Sequence, residues 1–506
     1  MGKPHHTHLK PAVLTTADCP LIEAEAEINT STAAIARHED LQTIPRGSSM
    51  PRRDFLTKGS ATIAFLVAFQ GVGKRAEAAD LGFDPFTYGV ASGDPLQDRV
   101  IIWTRVNPTA AATPGSGLGS PVRGIWEVSR NETFTQRVAT GRFVTSVATD
   151  HTVKIDVSKL QSGTEYYYRF HALGVYSPVG RMRTAPAAVS NPSSVRFGLV
   201  SCSNFEAGYF TAYRHLAQRN DLDFILHVGD YIYEYANGEY GPDGFAGSTR
   251  AHIPATEITT LSDYRRRHAC YKADPDLCNL HSRYSFITTW DDHETANDAW
   301  RDGAQNHTEG PAGTVVGQDA MGNDIIAEGA WPTRKNVGIQ AYYEWMPLRP
   351  PAATGSTGES RAIYRKFSFG ILMDLFMLDL RQYRSKQPAN QADTAAINSN
   401  SRTLLGPQQT NWLQANLLFS TARWKMLGNS VQIAPVYVIP SFLGNAAALF
   451  GLDPTSSTPT PFNVDSWDGY NESRRQILGA IAGVGTGRPP VGNCVFLTGD
   501  IHSNFS

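Results

Sequence analysis

From about Leu81 to Pro186 the apolar residues come in short runs, such as Val100-Ile101-Ile102-Trp103, Gly124-Ile125-Trp126-Glu127-Val128 and Tyr166-Tyr167-Tyr168-Arg169-Phe170. Gly, Pro, Asp and Asn punctuate them, and no 3.6-residue periodicity intervenes. Many short strands at this spacing predict a β-sandwich. Ala185 to Ser194 (APAAVSNPSS) reads as a linker. From Val195 the pattern alternates. Buried-strand runs are expected at Val195–Val200, Leu222–Val228, Ser285–Trp290, Ile371–Asp379, Trp424–Gln432 and Cys494–Thr498. Amphipathic stretches at Tyr209–Arg219, Arg334–Trp345, Pro407–Phe419 and Glu472–Ile481 read as helices. Strand and helix in alternation predict a layered α/β domain. The expected division is a leader over 1–79, a small all-β domain over 80–187 and the α/β domain over 188–506. Pro311–Ala330 and Pro350–Ser360 read as surface loops.

The leader carries its own signal. Pro51-Arg52-Arg53-Asp54-Phe55-Leu56-Thr57-Lys58 precedes the short apolar run Ala61–Phe69, and Ala76-Glu77-Ala78 supplies small residues for cleavage near Ala78 or Ala79. The apolar run falls well short of the 18 or more residues of a membrane span. An R-R-x-F-L element in this order resembles a bacterial twin-arginine signal, which implies passage through the twin-arginine translocon after folding in the cytoplasm. Met50 stands directly before this element, so the true start is expected there, with the polar residues upstream an over-long reading of the gene.

Charge narrows the function. Lys and Arg number 45 against 47 Asp and Glu, a net charge of -2, which gives no global basic field and argues against general nucleic-acid binding. Of the five cysteines, Cys19 lies in the leader. Cys270 and Cys278 flank the polar loop YKADPDL, and an exported protein could join them or leave both free. Cys494 opens the apolar run CVFLTG and is expected to be buried.

Four segments place oxygen, sulfur or imidazole groups just after an apolar strand. They are Val200-Ser201-Cys202-Ser203, Val228-Gly229-Asp230-Tyr231-Ile232-Tyr233, Thr289-Trp290-Asp291-Asp292-His293-Glu294 and Leu497-Thr498-Gly499-Asp500-Ile501-His502. In α/β proteins the carboxyl ends of the strands line the ligand crevice, so loops distant in sequence can converge there. One such loop alone is most often a turn; four in order point to a site.

The order of these motifs resembles that of the calcineurin-like metallophosphoesterases, whose pattern is D-x-H, G-D-x-x-D/Y, G-N-H-D/E and G-H-x-H. Cys202 stands where the first ligand is expected, Tyr233 takes the Asp/Tyr position, Asp292 replaces Asn, and Asp500 replaces the first His of the last motif. That set resembles the alkaline phosphatase D (PhoD-like) family. The segments Tyr88–Pro95, Ile102–Arg105, Leu378–Arg384 and Asp465–Tyr470 resemble it too. Leu160–Tyr166 also has the look of the tyrosine corner of fibronectin-like sandwiches, where the Tyr hydroxyl bonds back to upstream backbone. The resemblance implies a metallophosphoesterase-type sandwich flanked by helices, with iron(III) at one site and calcium at a second. Donor chemistry agrees. Cys202, Tyr233 and His502 suit a transition metal; Asp292 and Asp500, with or without Asp468, suit a hard cation; and Asp230 stands between the two.

Two cations a few Å apart would hold a phosphate oxygen, acidify a bound water to make the nucleophile and neutralise charge on the leaving side. His293 is the candidate general acid, the alternative being a histidine bonded to Glu294 or Asp291 that acts through them. Arg381 and Arg384 could grip phosphate or form an ion pair with Asp379. The expected activity is hydrolysis of phosphate monoesters or diesters. The alternatives are a phospholipase D-like diesterase, which an apolar rim would favour, and a non-catalytic exported binding protein. The chain ends four residues past His502, whereas members of the resembled family continue beyond this motif, as in a C-terminal truncation.

Overall fold

The structure is a computed structural model and describes residues 81–502 except 241–249, 320, 351–361, 446, 448–451 and 486. The expected leader and export signal lie outside these residues. Eight strands come first: β1 (Val90–Gly93), β2 (Val100–Arg105), β3 (Arg123–Ser129), β4 (Arg137–Val144), β5 (Thr152–Val157), β6 (Glu165–Ala172), β7 (Val175–Tyr176) and β8 (Gly180–Arg183). The remainder adds β9 (Phe197–Val200), β10 (Phe224–His227), β11 (Ser285–Thr288), β12 (Val315–Gln318), β13 (Asp324–Ile326), β14 (Arg365–Phe369), β15 (Met373–Met377), β16 (Trp424–Gly428), β17 (Tyr437–Val438), β18 (Thr460–Pro461) and β19 (Cys494–Leu497). Its helices are α1 (Thr211–Gln218), α2 (Leu261–Lys272), α3 (Pro275–Arg283), α4 (Trp331–Trp345), α5 (Thr394–Ile397), α6 (Gly406–Phe419), α7 (Pro440–Leu443) and α8 (Asn471–Ile481).

Two sheets face one another at the centre. One runs β5-β2-β1-β11-β10-β9 and the other β14-β15-β16-β19. Alternation along β10 explains the layering, because successive side chains point to opposite faces. Phe224 and Leu226 enter the core between the sheets, with Phe367, Phe369 and Leu375 opposite, and the rings of Phe224 and Phe369 stack at 4.9 Å. Ile225 points the other way, into a core shared with Tyr213 of α1, Leu277 of α3 and Tyr342 of α4. On the far side Phe376 and Leu427 pack with Leu413 of α6 and Ile477 of α8. The layers are therefore helix, sheet, sheet, helix.

Before Pro186 the described regular structure is strand, apart from one 3-10 turn at Val147–Thr149. The second layer there is β4-β3-β6-β7, with β8 also on β6. The first layer is not its own. β2 and β5 reach the strands of the second half of the chain through β1, which pairs with β11 in parallel at Ser92↔Ser285. A core including Val100, Ile102, Val128, Tyr168 and Phe170 fills the space between the two layers. The Tyr166 hydroxyl accepts the Gln161 N–H at 2.9 Å, as a tyrosine corner requires.

The segment expected as a loop between Cys270 and Cys278 is instead the junction of two helices. Asp274 caps α3 by accepting the N–H groups of Asp276 (2.9 Å) and Leu277 (3.0 Å), and Pro275 opens it. Cys270 and Cys278 sit on different helices and are free thiols. Cys494 is half-buried. Pro311–Ala330 carries the β12–β13 hairpin where a loop was expected. No helix among the described residues is long and apolar enough to cross a membrane.

Candidate metal centre

Strands β9, β10 and β11 are parallel, as are β15, β16 and β19, so their carboxyl ends open on one side. The four motif loops leave from there. Cys202, Asp230, Asp500 and His502 all have positive φ, between 52° and 70°, a conformation uncommon outside glycine and costly enough to be kept where the surroundings over-determine it. The loops also touch closely. A Cβ on Gly229 would stand 2.6 Å from that of Asp291, and one on Gly499 2.7 Å from the Ser201 hydroxyl, so both positions need glycine.

Ligand atoms of Cys202, Asp230 and His502 lie within 4.8 Å of one another. The Tyr233 hydroxyl joins them, 3.3 Å from His502 Nε2 and 3.5 Å from Asp230 Oδ2. Beside this group Asp230, Asp292 and His293 form a second, Asp291, Asp292 and Asp500 a third, and Asp292, Asp298 and Asp465 a fourth. Every expected ligand except Asp468 is brought into this centre. Asp468 is buried elsewhere, held by Arg474 and by the Val436 N–H at 3.0 Å. Asp465, three residues earlier, faces the centre in its place. The 3-10 turn at Trp467–Gly469 decides which aspartate turns inward, and the indole of Trp467 anchors that turn on Asn429 at 2.9 Å.

The residues fit cations. Asp230 Oδ1, Asp291 Oδ2 and Asp292 Oδ1 are buried without a hydrogen-bond donor, an arrangement that costs several kcal/mol unless positive charge compensates. Burial pushes Asp230 well above the usual carboxylate range, with Asp292, Asp291 and Glu294 adding to it against His293. Burial and Asp291 do the same to Asp500 against Arg381. Burial also raises the Cys202 thiol and the Tyr233 phenol. Asp292 goes the other way: burial opposes its charge, but Arg381 and His293 prevail and bring it to about 2.

Further residues shape the site, and of these Glu234, Asn297 and Asn306 had no signal of their own in the sequence. Glu294 accepts the N–H groups of Asp230 (3.2 Å), Tyr231 (2.6 Å) and Asp291 (2.8 Å), pinning two motif loops with one carboxylate. His293 bonds neither Glu294 nor Asp291; its Nδ1 stands 2.7 Å from Glu234 Oε2. The other oxygen of Glu234 accepts the Asn297 N–H (2.7 Å) and the Asn306 amide (3.0 Å). Burial disfavours a charged His293, but Asp292, Glu234 and Asp230 outweigh it and hold its pKa well above the ordinary value. Arg381 and Arg384 do not form the expected ion pair with Asp379. Arg381 enters the carboxylates, on Asp291 and Asp465, and Arg384 takes Asp465 at 2.6 Å. Asp230, Asp292, His293, Asp500 and His502 line a cleft of about 1030 Å³, whose walls include Trp300, Lys386 and the β12–β13 hairpin.

A two-sheet α/β fold with thiolate, phenolate, imidazole and carboxylate donors gathered at its strand ends defines a metal-dependent phosphoesterase. Residues 197–506 match the family model for PhoD-like phosphatase, and residues 73–186 match the model for its N-terminal domain. The chain is 35% identical over 477 residues to alkaline phosphatase D of Bacillus subtilis (strain 168), covering 91% of this chain and 73% of that protein. A solved structure of PhoD superposes with a TM-score of 0.69 at 35% identity, covering 84% of this chain and 73% of that one. The chain belongs to the PhoD-like phosphatase family and is a hydrolase of phosphoric esters.

Proposed function

We propose that the chain hydrolyses phosphate monoesters and diesters on the floor of the cleft, with iron(III) at Cys202, Asp230, Tyr233 and His502 and calcium at Asp292 and Asp500, Asp230 lying between. The convergence of these donors around buried carboxylate oxygens that lack a hydrogen-bond donor carries this reading. Asp291, Asp298 and Asp465 add their negative charge beside Asp292 and Asp500, and Asp468 is turned away to Arg474. When bound, the two cations supply the charge that grips the phosphoryl oxygens and activates water.

The chain's own part is to orient and to move a proton. Glu234 holds Nδ1 of His293, which leaves Nε2 as the nitrogen for the departing ester oxygen. Asp230, Asp292 and Glu234 favour its protonated form, the state a general acid needs. Glu294 keeps the loops of Asp230 and Asp292 at fixed spacing through three backbone N–H groups. The test is turnover of chromogenic mono- and diesters with and without a calcium chelator. Chelator-sensitive turnover is expected, and turnover indifferent to chelation would overturn the calcium assignment.

One observation favours a phospholipase D-like diesterase as a second reading. The β12–β13 hairpin lines the cleft with Val316 and Ile325, and its Val315 and Met321 are 56% and 66% exposed, an apolar rim of the kind a lipid headgroup enzyme uses. Faster hydrolysis of phosphatidylcholine in vesicles than of a soluble diester would select it. We also propose export through the twin-arginine translocon, supported by Arg52-Arg53 and the apolar run that follows. We further propose a leader over 1–79, an N-terminal fibronectin-like module over 80–187 and a catalytic part over 188–506; the break between the family matches to 73–186 and 197–506 supports the second boundary.

A further inference from the structure

The guanidinium of Arg381 is fully enclosed at the centre of the site, and its backbone is aimed there by a turn. The Asp379 carboxylate accepts the N–H groups of Arg381 and Gln382, both at 3.0 Å, together with the Trp290 indole N–H at 3.1 Å. From that fixed base the side chain meets four carboxylates in two different ways. Nε hydrogen-bonds Asp291, and Nη1 stands 2.8 Å from Asp465. Arg384 occupies the other oxygen of Asp465 at 2.6 Å. Neither Nη1 nor Nη2 makes a well-aligned hydrogen bond, but Nη1 is in close ion-pair contact with Asp465, whereas Nη2 stands 3.5 Å from Asp292 Oδ1 and 3.9 Å from Asp500 Oδ1. Close pairing uses up lone pairs, whereas attraction across 3.5–3.9 Å leaves them free.

We propose that Arg381 is a positioning residue that sorts these carboxylates, tying one oxygen each of Asp291 and Asp465 to itself and holding Asp292 and Asp500 by charge alone, with the Oδ1 atoms of that second pair open to a divalent cation. The inference rests on the assignment of a hard cation to Asp292 and Asp500. Without the guanidinium, ligand oxygens of Asp291, Asp292 and Asp500 within 4.8 Å of one another in a buried site would repel and splay, and the preformed cage would be lost. That loss exceeds the relief of removing one fixed positive charge from near the cation, because Asp291 would then be left without its counter-charge. Lysine keeps the charge but has a single nitrogen, so it cannot serve Asp291, Asp465 and the open pair at once.

The experiment is calorimetric titration of the calcium-free, iron-loaded full chain with calcium chloride, comparing the parent with Arg381→Gln and Arg381→Lys, folding being checked by near-ultraviolet circular dichroism. Arg381→Gln should bind at least tenfold more weakly, and Arg381→Lys should fall between it and the parent. Unchanged or tighter binding by a folded Arg381→Gln overturns the proposal. If that variant does not fold, Arg381→Lys decides: affinity equal to the parent's overturns the proposal, and weaker binding supports it. A parent that takes up no calcium overturns the underlying cation assignment instead, a result distinct from an unaltered variant.

Discussion

Glutamine in place of Glu234 should convert His293 from an acid into a bystander, and the surrounding hydrogen bonds say why. One oxygen of Glu234 accepts two donors, the Asn297 N–H at 2.7 Å and the Asn306 amide at 3.0 Å, while the other faces His293 Nδ1 at 2.7 Å. A glutamine must keep its oxygen toward the two donors, so its NH₂ group lands against His293 Nδ1. That nitrogen must then accept, and the imidazole becomes neutral with its proton on Nε2. A charge-assisted hydrogen bond of about 1.5–3 kcal/mol is lost, along with one of the three carboxylates that favour the protonated ring. Proton delivery to the leaving oxygen contributes about 10²–10⁴ in rate, so hydrolysis of an alkyl phosphate ester should fall by about 100-fold or more. A nitrophenyl ester, whose leaving group needs little protonation, should change by less than about threefold. The assay is steady-state kinetics on the two esters, with Glu234→Gln and the parent side by side. Equal losses on both esters would refute the argument and make Glu234 a packing residue. No loss on either would remove His293 from proton transfer.

Tyr233→Phe should remove the phenolate charge-transfer band of the iron-loaded protein and leave only the contribution of the Cys202 sulfur, and a visible spectrum identical to the parent's would exclude the phenol as a ligand. Glu294→Ala should destabilise the fold by about 3 kcal/mol or more, because three buried N–H groups lose their acceptor, two of them on the loop of Asp230; urea denaturation measures it, and a change under about 1 kcal/mol would contradict the role given to this residue. His252 and His268 are buried, and burial lowers both to about 3. Their folded values lie below the unfolded one, so their contribution is intact above about pH 6.5 and is lost as pH falls toward 3, by up to about 1.4 kcal/mol per pH unit for each. Folded His268→Leu should show a correspondingly shallower loss of stability between pH 6 and 4, and an identical slope would count against it.

The parts legible in sequence were those with local signals. The strands carrying the site are short apolar runs ending in Gly-Asp, Asp-Asp-His and Ser-Cys, and pattern alone places them. Helix α2 was not legible because it has no apolar stripe. Its buried face includes Arg265, Arg267, His268 and Lys272, made tolerable by distant partners: Arg265 pairs with Glu344 at 2.7 Å, and Arg267 donates to the carbonyls of Tyr233, Tyr235, Pro254 and Thr256. Helix α3 did carry a signal, the Asp274-Pro275 start, which the polar composition of the segment hid. Asp465 and Asp468 are equivalent by composition, and only the turn at Trp467–Gly469, which takes up Asp468, separates a residue of the site from a partner of Arg474. Glu294 lies within a motif and Glu234 directly follows one, yet His293 is 59 residues from Glu234 and Asp230 is 64 from Glu294, beyond what spacing can show.

The pairing of β1 with β11 makes the amino-terminal block a splint for the chemistry. β11 leads directly into Asp291, Asp292 and His293, and it is clamped between β10 on one side and β1 on the other. Cutting the chain near residue 187 would strip one flank from the strand that delivers the acid and two carboxylates, and would leave its hydrogen-bonding groups open to a stray partner. The block therefore cannot be exchanged between enzymes as a cassette without resetting the aim of that loop, and a chain being made at the ribosome must hold one edge of β1, the one not paired with β2, open until some 190 residues later β11 arrives.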